Sequence, residues 1–514
     1  MKNCFQRRFP IFPDLLSLHF ARPDRYPFLL ESTSHRIGYH AGRSRYDILF
    51  AFPEDRLVLD PPDDPADNGR RVTKENFLDR LDAWFAKESD GTTAGGLSPS
   101  ETPLAITPEI PFQGGWFLYL GYELAAQIEP VLGHRPEKGT QSDVSPAHRL
   151  INMPSREITQ HADFSKDNNP MSLPWAARIE ERFPIASAWR VPAAIIRDKH
   201  KRETILVTES HRATCMKEME RDLLSAGPFL LPVSSLSATL LRAPIREDPA
   251  DEFLERIARI KHYIREGDVF QVNLSRGWRA NLHEGIASAH IYHRLRRQNP
   301  GAFAGLAVWD DFSVISSSPE RLVRIQDGIV ETRPIAGTYP RNQNLARDRR
   351  LSDALMTHPK ERAEHIMLID LERNDLGRVC RPGSVRVDEL MVLESYAHVH
   401  HIVSNVRGKL QPDTTPGQVL RAIFPGGTIT GCPKVRCMEI IAELEQVLRG
   451  PYTGAMGYLN RNGSADLNIL IRTLCRQGDS VSLRAGSGIV ADSVPERELR
   501  ETRHKAQGPL DSLL

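Results

Sequence analysis

The sequence predicts a large α/β or α+β fold with substantial sheet, and three observations carry that expectation. At 514 residues and 40% apolar content, the chain is long enough to bury one large core or several ordinary ones. Strand-like runs (VFQVNLS from Val269, FSVISSS from Phe312, LNILIRTL from Leu467, VSLRAGSGIV from Val481) alternate with helical stretches. Phe253, Ile257, Ile260 and Ile264 then recur at helical spacing for about three turns.

In chain order, FLLES (Phe28 to Ser32) and SRYDILFAFP (Ser44 to Pro53) read as two strands flanking a polar turn. A helix is expected over Asn76 to Lys87, and the Gly, Ser and Thr content of Asp90 to Thr102 predicts a mobile loop. PFQGGWFLYLGYEL (Pro111 to Leu124) reads as a buried strand meeting a tight turn at its glycine pair. The stretch from 141 to 174 is polar and carries no pattern. A boundary near Pro244 to Pro249 precedes the motif-dense remainder, which divides the chain into regions 1–150, 151–245 and 246–510. No fixed-period repeat is present.

Lys plus Arg (67) nearly cancels Asp plus Glu (66), so overall charge points to neither nucleic acid nor an anionic membrane as partner. The six cysteines are scattered without a C-x-x-C pair, a pattern suited to a reducing cytoplasm. The basic N-terminus (Lys2, Arg7, Arg8) is interrupted by Pro10 and Pro13 and is not followed by a signal-like apolar run. No segment reaches the ~20 apolar residues of a membrane span. A soluble cytoplasmic protein is the expectation.

Two carboxylate doublets stand out. Glu361 with Glu364, and Glu498 with Glu501, lie three apart in helical stretches, so each doublet occupies one helix face. Two such faces could enclose a magnesium ion, which takes hard oxygen ligands; the same spacing also describes ordinary solvated faces. FPGGTITGCPK (Phe424 to Lys434) is not a Walker motif, because Gly431 is followed by Cys-Pro-Lys. RAGSGIVAD (Arg484 to Asp492) could offer backbone N–H groups to a carboxylate or simply turn the chain, and Arg472 could add a bidentate clamp. Glu320, in SSSPERLVRI, is placed to present a carboxyl to a pocket; an ion pair with Arg321 or Arg324 is the competing reading. His398, His400 and His401 do not make a zinc site, since on a strand His401 points away from the other two.

Jointly, GDVFQVNLS, SSSPERL, RPIAGTYPR, ERAEHIMLIDLERNDLGRV, HHIVSNVRG, FPGGTITGCPKVRCMEII, GAMGYL, IRT and AGSGIVADSVPERELRETRHKA resemble, in order, the chorismate-binding enzymes. The resemblance is strong over residues 250–507 and weaker over 25–125. It implies a two-layer α/β sandwich of the anthranilate synthase component I type with large antiparallel sheets. It also implies Mg²⁺ held by Glu364 and Glu501 with Glu361 and Glu498 beside them. Chorismate carboxylates would be held by Arg472, Tyr458 and the backbone around Gly486 and Gly488, with Thr428 in the matching glycine loop. Lys505 would help neutralise the site, Glu320 matches the general acid, and His401 lies near the departing hydroxyl.

Within that family, water-adding members carry a catalytic lysine where this chain has Gln271, so the resemblance favours the ammonia-using branch. PGGTITG, HHIVS, FQGGWFLYLGYEL and SRYDILFAFP resemble aminodeoxychorismate synthases. Ala336 in PIAGT instead resembles anthranilate synthases, and it removes the lysine proposed to attack the ring in PIKGT forms. FLLES resembles the start of a tryptophan-binding element, while Arg45, Tyr46 and Asp47 depart from it. No cysteine has the G-x-C-x-G setting of a glutaminase nucleophile, so ammonia is expected from a glutamine amidotransferase small subunit.

Overall fold

The computed structural model describes residues 4–33, 45–61, 76–89, 110–132, 183–225, 227, 239–396 and 399–514. The expected polar turn after FLLES, the loop over Asp90 to Thr102, the stretch 141–174 and His398 lie outside the described residues. Two large antiparallel sheets dominate the rest, a 12-stranded one and a 10-stranded one. The sandwich expected from sequence is therefore an α+β fold in which the sheets face each other and helices cover their outer sides.

Aromatic and branched residues alternate along the strands, and this alternation builds the layers. Phe28, Phe50 and Trp309 of the larger sheet meet Phe117, Tyr119 and Trp189 of the smaller in one buried cluster. Phe28 stacks on Phe117 with ring centroids 4.1 Å apart. On the outer face of the smaller sheet, the helix Phe77–Glu88 buries Phe77, Leu78, Leu81 and Phe85. The Asn76 side chain caps it by accepting from Leu78 N at 2.9 Å. The helix Ala250–Glu266 buries Phe253, Ile257 and Ile260 as the spacing predicts, and Gly267 ends it at φ +85°.

The three sequence regions share these sheets. Phe28–Glu31 pairs with Phe303–Trp309, and Gly115–Leu120 pairs with Ala455–Asn460. Ala186–Val191, from the connecting region, pairs with Gly115–Leu120 in turn. The early strands thus complete sheets begun by the late ones.

LNILIRTL, read as one strand-like run, is two strands. Ala465–Ile469 belongs to the smaller sheet and Thr473–Gln477 to the larger, so the chain changes sheets over residues 470–472. Arg472 makes that step at φ +52°, a conformation rare for a residue with a Cβ. No helix among the described residues is long and apolar enough to cross a membrane.

Candidate active site

A second sheet change lies alongside the first. Phe312–Ser318 ends in the larger sheet, Pro319 and Glu320 cross, and Arg321–Gln326 begins in the smaller. Ile469 N donates to Glu320 O at 3.0 Å and Ser317 N to Arg472 O at 3.2 Å, so the crossings brace each other. Glu320 and Arg472, 152 positions apart in sequence, are thereby brought to one place.

The Glu320 carboxyl is buried, and Thr428 Oγ1 donates to its Oε1 at 2.9 Å. Thr428 sits in a short 3-10 turn, Gly427–Ile429, where the Leu371 side chain occupies the space a Cβ on Gly427 would need. Burial pushes Glu320 up to about 7, against the Thr428 hydrogen bond and the positive charges of Lys505 and Arg472. The competing ion pair is not formed. Arg321 is bidentate to Asp466 at 2.8 and 2.9 Å, and Arg324 lies 3.3 Å from Glu331. The carboxyl near Thr428 can therefore hold a proton at neutral pH and give it up.

Gly486 and Gly488 lie within the strand Ser480–Ile489, paired with Ser275 and Asn273; they do not turn the chain. Among the described residues the strand's other neighbour pairs only as far as Leu483, so beyond it that edge is open to the site. Lys505 Nζ reaches Gly486 O there at 3.0 Å. The two-residue alternation of a strand turns the backbone groups of Gly488 the same way. The absent side chains also make room: a Cβ on Gly486 would come within 2.7 Å of the Tyr452 hydroxyl, and one on Gly488 would collide with Gln271 Nε2. Gln271 is buried with its Oε1 unbonded.

His401 is buried opposite Thr338, whose Oγ1 lies 2.9 Å from its Nδ1. Burial and the charge of Arg472 push its pKa down to about 3, against a hydrogen bond to the Gly337 backbone. It is a neutral hydrogen-bonding ring at any ordinary pH. Ala336 is buried opposite Ile402, one residue before Gly337, which breaks the register at φ +65°. A Cβ on Gly337 would come 2.9 Å from Glu361 Oε2, so the bulge admits that carboxylate to the strand. His400 is turned away, 3.1 Å from Asp348.

The carboxylate doublets lie on the helices Pro359–Gly377 and Pro495–Asp511. Burial raises the pKa of Glu364, and the negative charges of Glu361 and Glu498 add to it. Glu498 is raised by burial and by Glu501, against a hydrogen bond from Ser493. Carboxylates of the two helices therefore feel each other. Lysines meet part of that charge, with Lys360 Nζ 3.5 Å from Glu364 and Lys505 Nζ 2.7 Å from Glu501. Among the described residues, no three His, Cys, Asp or Glu side chains converge on one point closely enough to hold a metal. Mutually repelling oxygen donors that recruit cations nonetheless match in chemistry what a magnesium ion binds.

Tyr458 is placed elsewhere. Its ring packs near Phe50 and Phe112 between the sheets, and it lines a separate cavity of about 440 Å³ bounded by Leu30, Glu31, Ser32, Arg321 and Asp466. The tyrosine beside Gly486 is Tyr452, in the same string, PYTGAMGY. Sequence reading missed it because Tyr452 precedes the strand Ala455–Asn460, in a turn where Thr453 takes φ +63°. Only the neighbouring proline and glycine signalled that turn.

Comparison with known proteins bears on the whole arrangement. Residues 36–511 match the family described as chorismate binding enzyme. The anthranilate synthase component I-like protein of Synechocystis is 39% identical over 412 residues, covering 79% of this chain and 74% of that protein. Aminodeoxychorismate synthase component 1 of Bacillus subtilis is 48% identical over 264 residues, covering 51% of this chain and 55% of that protein. The second match thus spans little more than half of the relative's length. The crystal structure of anthranilate synthase component I from Streptococcus pneumoniae superposes with a TM-score of 0.68 at 27% identity, covering 92% of this chain and 94% of that one. The chain belongs to the chorismate-binding enzymes, of the anthranilate synthase component I and aminodeoxychorismate synthase type.

Proposed function

We propose that this chain aminates chorismate with ammonia to give 4-amino-4-deoxychorismate, a para-aminobenzoate and folate precursor, and releases water. The observation that carries the chemistry is Glu320, a buried carboxyl whose pKa stands at about 7 beside Arg472 and Lys505. Expulsion of the ring hydroxyl requires a proton in the transition state, and a carboxyl poised near neutrality supplies it best. Arg472, Tyr452 and the open edge at Gly486 and Gly488 offer donors to the substrate's carboxylates. Neutral His401 orients the departing hydroxyl. Gln271 has no basic group with which to activate water, and its unbonded Oε1 can accept a hydrogen bond from ammonia, which needs no activation.

Glu361, Glu364, Glu498 and Glu501 would hold Mg²⁺, with substrate oxygens and water completing its shell. A bound magnesium ion would act as a Lewis acid on the ring carboxylate. Turnover should stop in EDTA and in Glu364→Ala or Glu501→Ala, with the fold retained; full activity in EDTA would exclude a magnesium requirement. Ammonia is proposed to come from a glutamine amidotransferase subunit, so the chain alone should use ammonium salt but not glutamine.

PGGTITG and HHIVS favour this product, whereas Ala336 favours the second reading, an anthranilate synthase large subunit. Product identification by mass and fluorescence separates them, with chorismate, magnesium and ammonium salt supplied in the presence and absence of a lyase. Fluorescent anthranilate formed without the lyase would overturn the first reading. Tight chorismate binding with no turnover would overturn both.

A further inference from the structure

Next to the Thr428 turn lies a fully buried ion pair that none of the chemistry above uses. Arg449 and Glu445 are each about 1% exposed in their side chains. Every N–H of the Arg449 guanidinium is spent. Nε and one Nη2 hydrogen go to the two oxygens of Glu445 at 3.0 and 2.7 Å, and the other Nη2 hydrogen to Asn273 O at 2.7 Å. Nη1 donates to Ile429 O at 3.2 Å and to Thr453 Oγ1 at 3.3 Å. Glu445 in turn accepts from Ser275 N and Ser275 Oγ, each at 2.8 Å, and from Arg484 at 3.3 Å. The Arg449 main chain is itself held, its N donating to Glu123 at 2.7 Å.

What this fork touches is informative. Ile429 adjoins Thr428, the residue that donates to Glu320. Thr453 adjoins Tyr452, over whose ring the guanidinium lies at 5.5 Å. Thr453 N also donates to Leu470 O at 2.8 Å, two residues before Arg472. We propose that Arg449, locked by Glu445, is the positioning residue that holds three otherwise separate segments in register: the Thr428 loop, the Tyr452 turn and the Arg472 crossing. The planar five-donor fork is what makes this possible, and lysine cannot reproduce it. The inference rests on the reading of Glu320 as the general acid.

The test is the pH dependence of kcat in the full chain with chorismate, magnesium and ammonium salt. Glu320 is faced by Thr428 from the loop, Lys505 from the last helix, Arg472 from the crossing and Glu372 from the helix Pro359–Gly377. Of these, the Thr428 hydrogen bond lowers its pKa, so Thr428→Val should move the alkaline limb upward by about half a pH unit. Arg449→Lys should move it upward similarly and lower kcat roughly tenfold, and the double variant should move it no further. A merely destabilised protein would lose activity in proportion at every pH, leaving the limb in place. An unmoved limb in Arg449→Lys, or shifts that add in the double variant, would overturn the proposal. If Arg449→Lys does not fold, Asn273→Ala removes the other donor to Ile429 O, at 2.8 Å, and carries the same expectation and the same refutation. The two readings fail separately. Full kcat in Glu320→Gln refutes the acid, whereas a slow Glu320→Gln with an unmoved Arg449→Lys limb refutes only the positioning role.

Discussion

Glu320 and Glu445 are the same residue type at nearly the same burial, 6% and 2% exposed, and they lie on either side of the glycine loop. Their proton affinities are shifted in opposite directions. Burial raises both, yet the charges of Arg449 and Arg484 and hydrogen bonds from Arg449 and Ser275 bring Glu445 below its ordinary value. Glu320 receives one side-chain hydroxyl, a backbone hydrogen bond at Ile335 and more distant positive charge, and it stands at about 7. The number of donors aimed at a buried carboxylate, not its depth, separates a structural anion from a proton donor.

The largest expected effect tests the structural side. Glu445→Ala leaves Arg449 buried without its counter-charge and should cost about 3–5 kcal/mol of stability in urea unfolding. A loss below about 1 kcal/mol would place the pair in a solvent-like setting and break the contrast.

Stability against pH should then sharpen it. Glu320 has a folded pKa above its unfolded value of 4.5, so the folded state binds the extra proton. Its contribution is present below that unfolded value and is lost as pH rises through about 7, on the order of 3 kcal/mol. Glu445, held below 4.5, contributes in the opposite sense: its stability is present above that value and is lost as pH falls through the folded pKa. Thermal unfolding of Glu320→Gln between pH 5 and 8 should lack the alkaline loss that the parent shows. A parallel loss in both would remove Glu320 as its source.

Activity supplies the next test. Glu320→Gln keeps shape without a proton to give and should lower kcat by about 10²-fold, close to 2.7 kcal/mol, with little change in KM. A change confined to KM would make Glu320 a binding residue. In the parent, turnover with subsaturating ammonium salt should climb with pH as NH₃ is released and level off as Glu320 ionises through about 7, because the further gain in NH₃ offsets the loss of the protonated acid. The smallest effect is expected for Thr428→Val, less than roughly tenfold in kcat, since one neutral hydrogen bond is worth about 1 kcal/mol.

Several local elements are legible in the sequence alone, and what is not legible shares a cause. The helix begun at Asn76, the helix bearing Phe253 to Ile260 and the strands around Phe28 and Phe117 are local patterns, and they stand where their periodicity put them. For Gly486 and Gly488 the sequence leaves open a carboxylate-binding backbone or a simple turn; they are strand residues whose missing side chains make room for Tyr452 and Gln271. The resemblance pointed to Tyr458, whose strand face points between the sheets, while Tyr452 is the tyrosine beside Gly486.

Residue type and spacing alone determine that two doublets of carboxylates lie on helix faces, that Glu320 follows a strand, and that no Walker loop is present. Which groups meet is decided only by tertiary structure. Thr428 reaches Glu320 across 108 residues, and Ser275 reaches Glu445 across 170. A carboxyl's proton affinity depends on desolvation and on donors from distant strands. Arg449 lies only four residues from Glu445, but Ser275, Thr428 and the burial itself lie beyond any local window, so the charge of a buried glutamate is a property of the assembled fold.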